Sequence, residues 1–166
     1  MANQDPQPEI YSVVSNFNDL TGAGLGTLSG ASIQNTINTN QANNEEVRVY
    51  AIQVDIQTSG NAALSPITAA NCDFSMTIGV GPNNVPSQTI RLRPIWSSDD
   101  NTLSWPTPIL VLYQQPFSAT ITTNQALLTN VANGRIVTVN FISELSIQKV
   151  ACAPGTTNYP RSPLSM

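Results

Sequence analysis

The sequence has no histidine, a single lysine (Lys149) and only two cysteines, and just 10% of its residues are charged. Each shortage excludes something. Without histidine, the side chain that most often moves protons near neutral pH is missing. Carboxylate pairs are the remaining route, and Glu45/Glu46 and Asp99/Asp100 are adjacent in the chain. Neighbours in extended backbone point to opposite faces, so neither pair naturally flanks one bond, and both read as solvated loop charges. No GxSxG is present, and Lys149 at a strand end is a poor base for a serine. The glycines of GAGLG, residues 22–26, precede no GK[ST] and read as flexibility rather than a phosphate loop. No enzyme and no cofactor are expected.

The cysteine count closes the zinc route as well, since neither histidine nor CxxC spacing is available for it. Cys72 and Cys152 lie eighty positions apart and read as free thiols packed as small hydrophobes. A disulfide between them requires Cα atoms within about 7 Å. A net charge of −4 with five scattered arginines argues against direct nucleic-acid binding, which needs clustered cations to displace counterions. Nowhere do eighteen apolar residues run together, so no membrane span is expected. MANQDPQPEI lacks the basic segment and apolar run of a signal peptide, so synthesis in a cytoplasm is expected.

What the chain does have is amide and hydroxyl side chains, together with period-two hydrophobic patterning. Its 166 residues, 40% of them hydrophobic, suffice for one domain with a real core. EIYSVVSNF, residues 9–17, puts Tyr11, Val13, Ser15 and Phe17 on one face. In VRVYAIQVDIQT, Val47 and Val49 share one face while Ile52, Val54 and Ile56 share the other. The apolar face therefore switches near Ala51, by a bulge or by passage between sheets. DFSMTIGV lines up Phe74, Met76, Ile78 and Val80. GPNNVP then supplies turn chemistry, and SQTIRLRPIW returns with Ile90 and Leu92 in and Arg91 and Arg93 out. Pro94 places the end of that strand at a sheet edge. ILVLY, residues 109–113, is apolar on both faces, as a strand covered on both sides is. FSATITT and RIVTVNFISELSIQKV complete the set, the latter with Val137, Val139, Phe141, Leu145 and Ile147 on one stripe. QALLTNVA, residues 125–132, is the only plausible helix.

Strands spaced by Gly/Pro/Asn turns, with almost no helix, predict an all-β antiparallel two-sheet sandwich. A jelly-roll type is favoured, because the switch near Ala51 suggests a strand shared between sheets. The single domain spans 1–166, with its core at about 47–152 and extended arms at 1–8, 20–46 and 153–166. Within the middle arm, Ile33 and Ile37 are the apolar residues of IQNTINTNQANNEE, and residues 20–46 are expected to gain order mainly from other chains.

One constellation carries a sharper expectation. Trp96 and Trp105 bracket Asp99, Asp100 and Asn101. Two indoles beside carboxylates resemble surfaces that stack sugar rings and bind hydroxyls, and the carboxylates also suit calcium. Alternatively both tryptophans plug the sandwich ends and the polar run is a turn. Arg91 and Arg93, outward on one strand, suit a small anion patch, though two charges at i, i+2 are more often a solvated or partner-facing edge. In composition and layout the chain resembles jelly-roll coat, vertex or decoration proteins of virions. That resemblance implies a structural subunit, made in a host cytoplasm, that assembles with copies of itself or other particle proteins. A glycan- or receptor-binding module acting through the 96–105 loop is the alternative.

Overall fold

The computed structural model describes residues 6–17, 32–58, 67, 72–124 and 134–147. In chain order these form β1 (Gln7–Asn16), β2 (Ser32–Thr36), β3 (Glu45–Thr58), β4 (Phe74–Val80), β5 (Asn83–Asn84), β6 (Ile90–Arg91), α1 (Leu92–Trp96), β7 (Thr102–Leu112), β8 (Phe117–Thr123) and β9 (Arg135–Ile147). Two antiparallel sheets face each other. The first has the order β1-β9-β3-β7; the second has β2-β8-β4-β5, with β6 also pairing β4. The expected all-β sandwich is what the chain forms.

Alternation explains most of it. Val137, Val139 and Phe141 of β9 and Phe74, Met76 and Ile78 of β4 are fully buried between the sheets, while the intervening residues face outward. Two ring contacts tie the layers. Phe117 of β8 meets Phe141 of β9 edge-on at 5.3 Å, and Phe17, just after β1, meets Phe74 at 5.0 Å.

The face switch in β3 resolves as a bulge. Val49 opposes Ser143 and Ala51 opposes Ile142, which leaves Tyr50 as the extra residue. The strand stays in one sheet, and Val47, Val49, Ile52, Val54 and Ile56 all face inward. β3 is not shared between sheets, so the face switch near Ala51 does not itself indicate a jelly roll.

Three further expectations are corrected. Residues 32–46 are not an arm held by other chains. β2 pairs with β8 of its own sheet, Ile33 opposite Ile121, Ile37 is buried in the core, and Glu45 and Glu46 begin β3. Ile–Asn alternation is itself a half-buried strand pattern, and its polar composition concealed it. Likewise Gln7 and Pro8 belong to β1, paired with Leu145 and Glu144. Second, the strand returning from β4 ends at Arg91. Leu92 and Ile95 bury one face of α1, and Pro94, which cannot donate to a ladder, is tolerated in a first helical turn. Third, ILVLY is covered on one side only, because β7 is an edge strand whose Leu110 and Leu112 lie open. The expected helix at 125–132, residues 1–5 and 20–31, Lys149, Cys152 and the C-terminal arm at 153–166 lie outside the described residues.

The Phe117–Phe141 contact makes a stability test. Phe141→Ala should cost about 3–5 kcal/mol, measured as a lower urea midpoint with an unchanged slope.

Candidate functional site

The 96–105 segment is a closed turn. Ser97 and Ser98 terminate α1 by donating their N–H groups to the carbonyls of Arg93 (2.9 Å) and Ile95 (3.1 Å). The Asp100 carboxylate accepts from the Thr102 N–H at 3.1 Å and the Ser98 hydroxyl at 3.3 Å. The Thr102 hydroxyl donates to the Asp100 carbonyl at 2.8 Å. Asn101 sits at φ 52, its carbonyl accepting from the Val54 N–H at 2.9 Å. Its amide nitrogen, turned inward, donates to the carbonyls of Trp96 (2.6 Å) and Ser98 (2.9 Å). These are the local bonds by which Asp and Asn build turns. Asp99 is exposed, and among the described residues no three His, Cys, Asp or Glu side chains converge on one point.

The tryptophans part company. Trp96 is half-buried at the end of α1 and packs on the core. Trp105 lies where the β3–β7 register jumps, Val49 opposing Ile109 but Ala51 opposing Ser104. The residues between include Pro106 and Pro108, which cannot donate to a ladder. With Val85, Pro86 and Leu110 they line an apolar cleft of about 550 Å³. Trp96 does not line it.

Arg91 and Arg93 come together with Asp73, Pro94 and Ser97 around a cleft of about 460 Å³. Arg91 Nη1 donates to both Asp73 carboxylate oxygens, at 3.2 and 3.3 Å. More than half of the Arg91 side chain is exposed, so this pair adds little stability. Beneath it Cys72 is buried in the core, where desolvation pushes its thiol pKa up against the pull of Arg93 and Arg135. Arg135 is fully buried; desolvation lowers its pKa, and its Nη1 donates to the Gly134 carbonyl at 2.9 Å.

A further cleft of about 540 Å³ is one that sequence reasoning did not single out. It lies between the segment after β2, Thr36–Gln41, and the β7–β8 turn, Tyr113–Phe117. The Gln41 side-chain nitrogen donates to the Val111 carbonyl at 2.6 Å, and its oxygen accepts from the Thr39 hydroxyl at 2.9 Å. Gln115 accepts from the Leu112 N–H at 3.0 Å. The signal was there in two amide-rich runs, NTNQ and QQP, but nothing in the sequence joins two loops so far apart.

The outer face of the first sheet is the remaining feature. Ile10 opposes Ile142, and Ile142 opposes Ala51, beside Ser104. Next comes a neutral row of Ser12, Asn140, Gln53 and Thr102. The charges are grouped: Arg48 Nε donates to Glu46 at 2.7 Å, and Arg48 Nη1 stands 4.0 Å from Glu144. The Tyr50 hydroxyl donates to Glu144 at 2.5 Å, and that bond pushes the Tyr50 pKa up.

No family model and no curated protein matches the chain. Among solved structures, one titled "Crystal Structure of FLHE" aligns with 81% of this chain and 97% of its own, at 10% identity and a TM-score of 0.36. A likeness that low supports no statement about function. Among the described residues no helix is long and apolar enough to cross a membrane.

Burial and the raised pKa of Cys72 keep its thiolate scarce. In a Cys152→Ser variant, Cys72 should resist a disulfide reagent at pH 8 while folded and react fully in guanidinium. Rapid labelling of the folded variant contradicts the buried placement.

Proposed function

We propose that the chain is a structural subunit of a multi-subunit shell, of the kind from which viral and bacteriophage particles are built, with a sandwich of jelly-roll type. Strand order supports the jelly roll. β1 pairs β9, β2 pairs β8, β3 pairs β7, and β4 pairs β5 and β6, alternating between the two sheets. One long antiparallel ribbon wound around a core produces this nesting.

The observation that carries the functional reading is the outer face of the β1-β9-β3-β7 sheet. Large apolar side chains stand open there, from 39% exposed at Ile142 to 66% at Ile10, with Val14, Leu110 and Leu112 between. Large apolar side chains left open on one sheet face mark a contact surface; here they stand in separate strips beside the Arg48–Glu46–Glu144 cluster and the neutral row. A second copy of the chain fits it best. A row of amides and hydroxyls both donates and accepts, so it is complementary to itself. Arg48 lies against carboxylates and can serve those of a copy without leaving a buried charge unpaired. Four strands about 4.8 Å apart, ten residues long, cover about 600 Å² per face, so two faces bury about 1,200 Å², enough for a specific interface. Other structural proteins of the particle are further partners. The subunit is made in the host cytoplasm, ends in the particle and needs no direct contact with nucleic acid.

Light scattering after size exclusion, with negative-stain microscopy, tests this. The intact chain should self-associate. Ile10→Glu with Ile142→Glu, which leaves two carboxylates facing an apolar contact, should weaken association about 100-fold or more while the melting temperature holds. A chain that stays monomeric at high concentration and forms no particles overturns the reading.

A further inference from the structure

We propose that the cleft between Thr36–Gln41 and Tyr113–Phe117 binds a neutral sugar, stacked on the Tyr113 ring and held by the side-chain amides of Asn38, Asn40 and Gln114. The inference rests on none of the observations that support assembly, and it uses a different part of the surface from the 96–105 loop, whose Asp100 and Asn101 are occupied in closing a turn.

The first support is the chemistry of the lining. It is made of amides, hydroxyls, one phenol and apolar groups, with no Lys, Arg, Asp or Glu. A phosphate, sulfate or carboxylate finds no cation there to replace its water. A carbohydrate hydroxyl both donates and accepts, as a side-chain amide does, so neighbouring hydroxyls suit an amide's paired oxygen and nitrogen. Tyr113 lines the cleft and is 38% exposed, which leaves its ring accessible to stack on the apolar side of a sugar. A volume of about 540 Å³ lies within the roughly 300–1,000 Å³ usual for small-ligand sites.

The second support is division of labour among the amides. Gln41 and Gln115 are engaged inward and brace the walls. The frame is braced further by the Ile37 N–H donating to the Phe117 carbonyl at 2.8 Å and the Gly81 N–H donating to the Pro116 carbonyl at 2.8 Å. Asn38, Asn40 and Gln114 are exposed, and their side chains have no hydrogen-bond partner among the described residues. Braced walls that carry unengaged amides leave those amides able to donate to and accept from a polar ligand.

The third support is backbone strain. The Gln115 N–H donates to the Leu112 carbonyl at 3.0 Å, closing a four-residue turn in which Gln114, third in order, has φ 59. That is the position in a type II turn where glycine is the easy choice. A glutamine held there puts an amide on the cleft rim at a conformational cost, the pattern found where backbone strain serves a site.

Strain and binding make opposite predictions for one substitution. Gln114→Gly should leave the melting temperature unchanged or raise it, since the left-handed position is relieved. It should also weaken sugar binding at least about fivefold, the loss of one hydrogen-bonding group. The probes are an array of neutral oligosaccharides ending in glucose, galactose, mannose or N-acetylhexosamines, with sialylated and sulfated glycans alongside, then calorimetry with the strongest neutral binder. Tyr113→Ala should abolish binding, and Trp105→Ala should leave it intact. No binding by the intact chain, binding of anionic glycans alone, binding indifferent to both Tyr113→Ala and Gln114→Gly, or binding lost with Trp105→Ala would each overturn the proposal.

Discussion

Tyr50 is the extra residue in the strand on which the first sheet is organised. β3 lies between β9 and β7, and its side chains alternate strictly on either side of Tyr50. Without the bulge, either Val47 and Val49 or Ile52, Val54 and Ile56 would face solvent, because a shift of one residue exchanges the faces of a strand. Burying a Val or Ile side chain contributes about 1.5–3 kcal/mol, so turning in the two or three that would otherwise face solvent outweighs the ladder bonds interrupted at one bulge. The bulge has a second effect: on the outer face it brings the Tyr50 hydroxyl onto Glu144. The β7 side has an irregularity of its own, where Trp105–Pro108 lie across from Tyr50 alone and Pro106 and Pro108 cannot donate to a ladder. Core register and outer-face polar cluster thus share the bulge, whereas the edge cleft belongs to the excursion of β7.

The sandwich is largely legible in the sequence because half-buried strands carry their own code. β4, β8 and β9 alternate so regularly that Phe74–Val80, Phe117–Ile121 and Val137–Phe141 can be assigned a face from the letters. The failures have specific origins. Leu110 and Leu112 look like core residues because hydrophobicity reports what can be buried, whereas the edge position of β7 depends on pairing partners far along the chain. Leu92 fits either a strand face or a helix face, and its pairing with Ile95 is decided by α1 seating on the sandwich. Ser32–Thr36 looks like slack because only Ile33 marks its inner face strongly. Sites follow the same division. Local turn chemistry at Asp100 and Asn101 is readable, but the lining of one cleft by both Asn38 and Gln114 needs the whole topology.

Low charge shapes the surface more than it shapes the core. In place of a shell of ions, the described residues hold a few grouped pairs, Arg48 with Glu46 and Glu144, and Arg91 with Asp73. Solubility then falls to amides and hydroxyls, which are cheaper than charges to strip of water when another surface approaches. The same composition suits two uses. Under the two proposals, neutral rows on a flat sheet meet a copy of themselves, and the same groups in a concave turn meet a polyhydroxylated ligand.

Geometry decides how far those two proposed uses coexist. Ile10 and Ile142 lie toward the β1 edge of the first sheet, and the amide cleft opens where β7, the opposite edge, turns into β8. A contact confined to the β1–β9 side leaves Tyr113 and Gln114 free. A contact over all four strands includes Leu110 and Leu112 and crowds the cleft, since Leu112 directly precedes Tyr113, so a copy seated on the whole face competes with a sugar in the cleft.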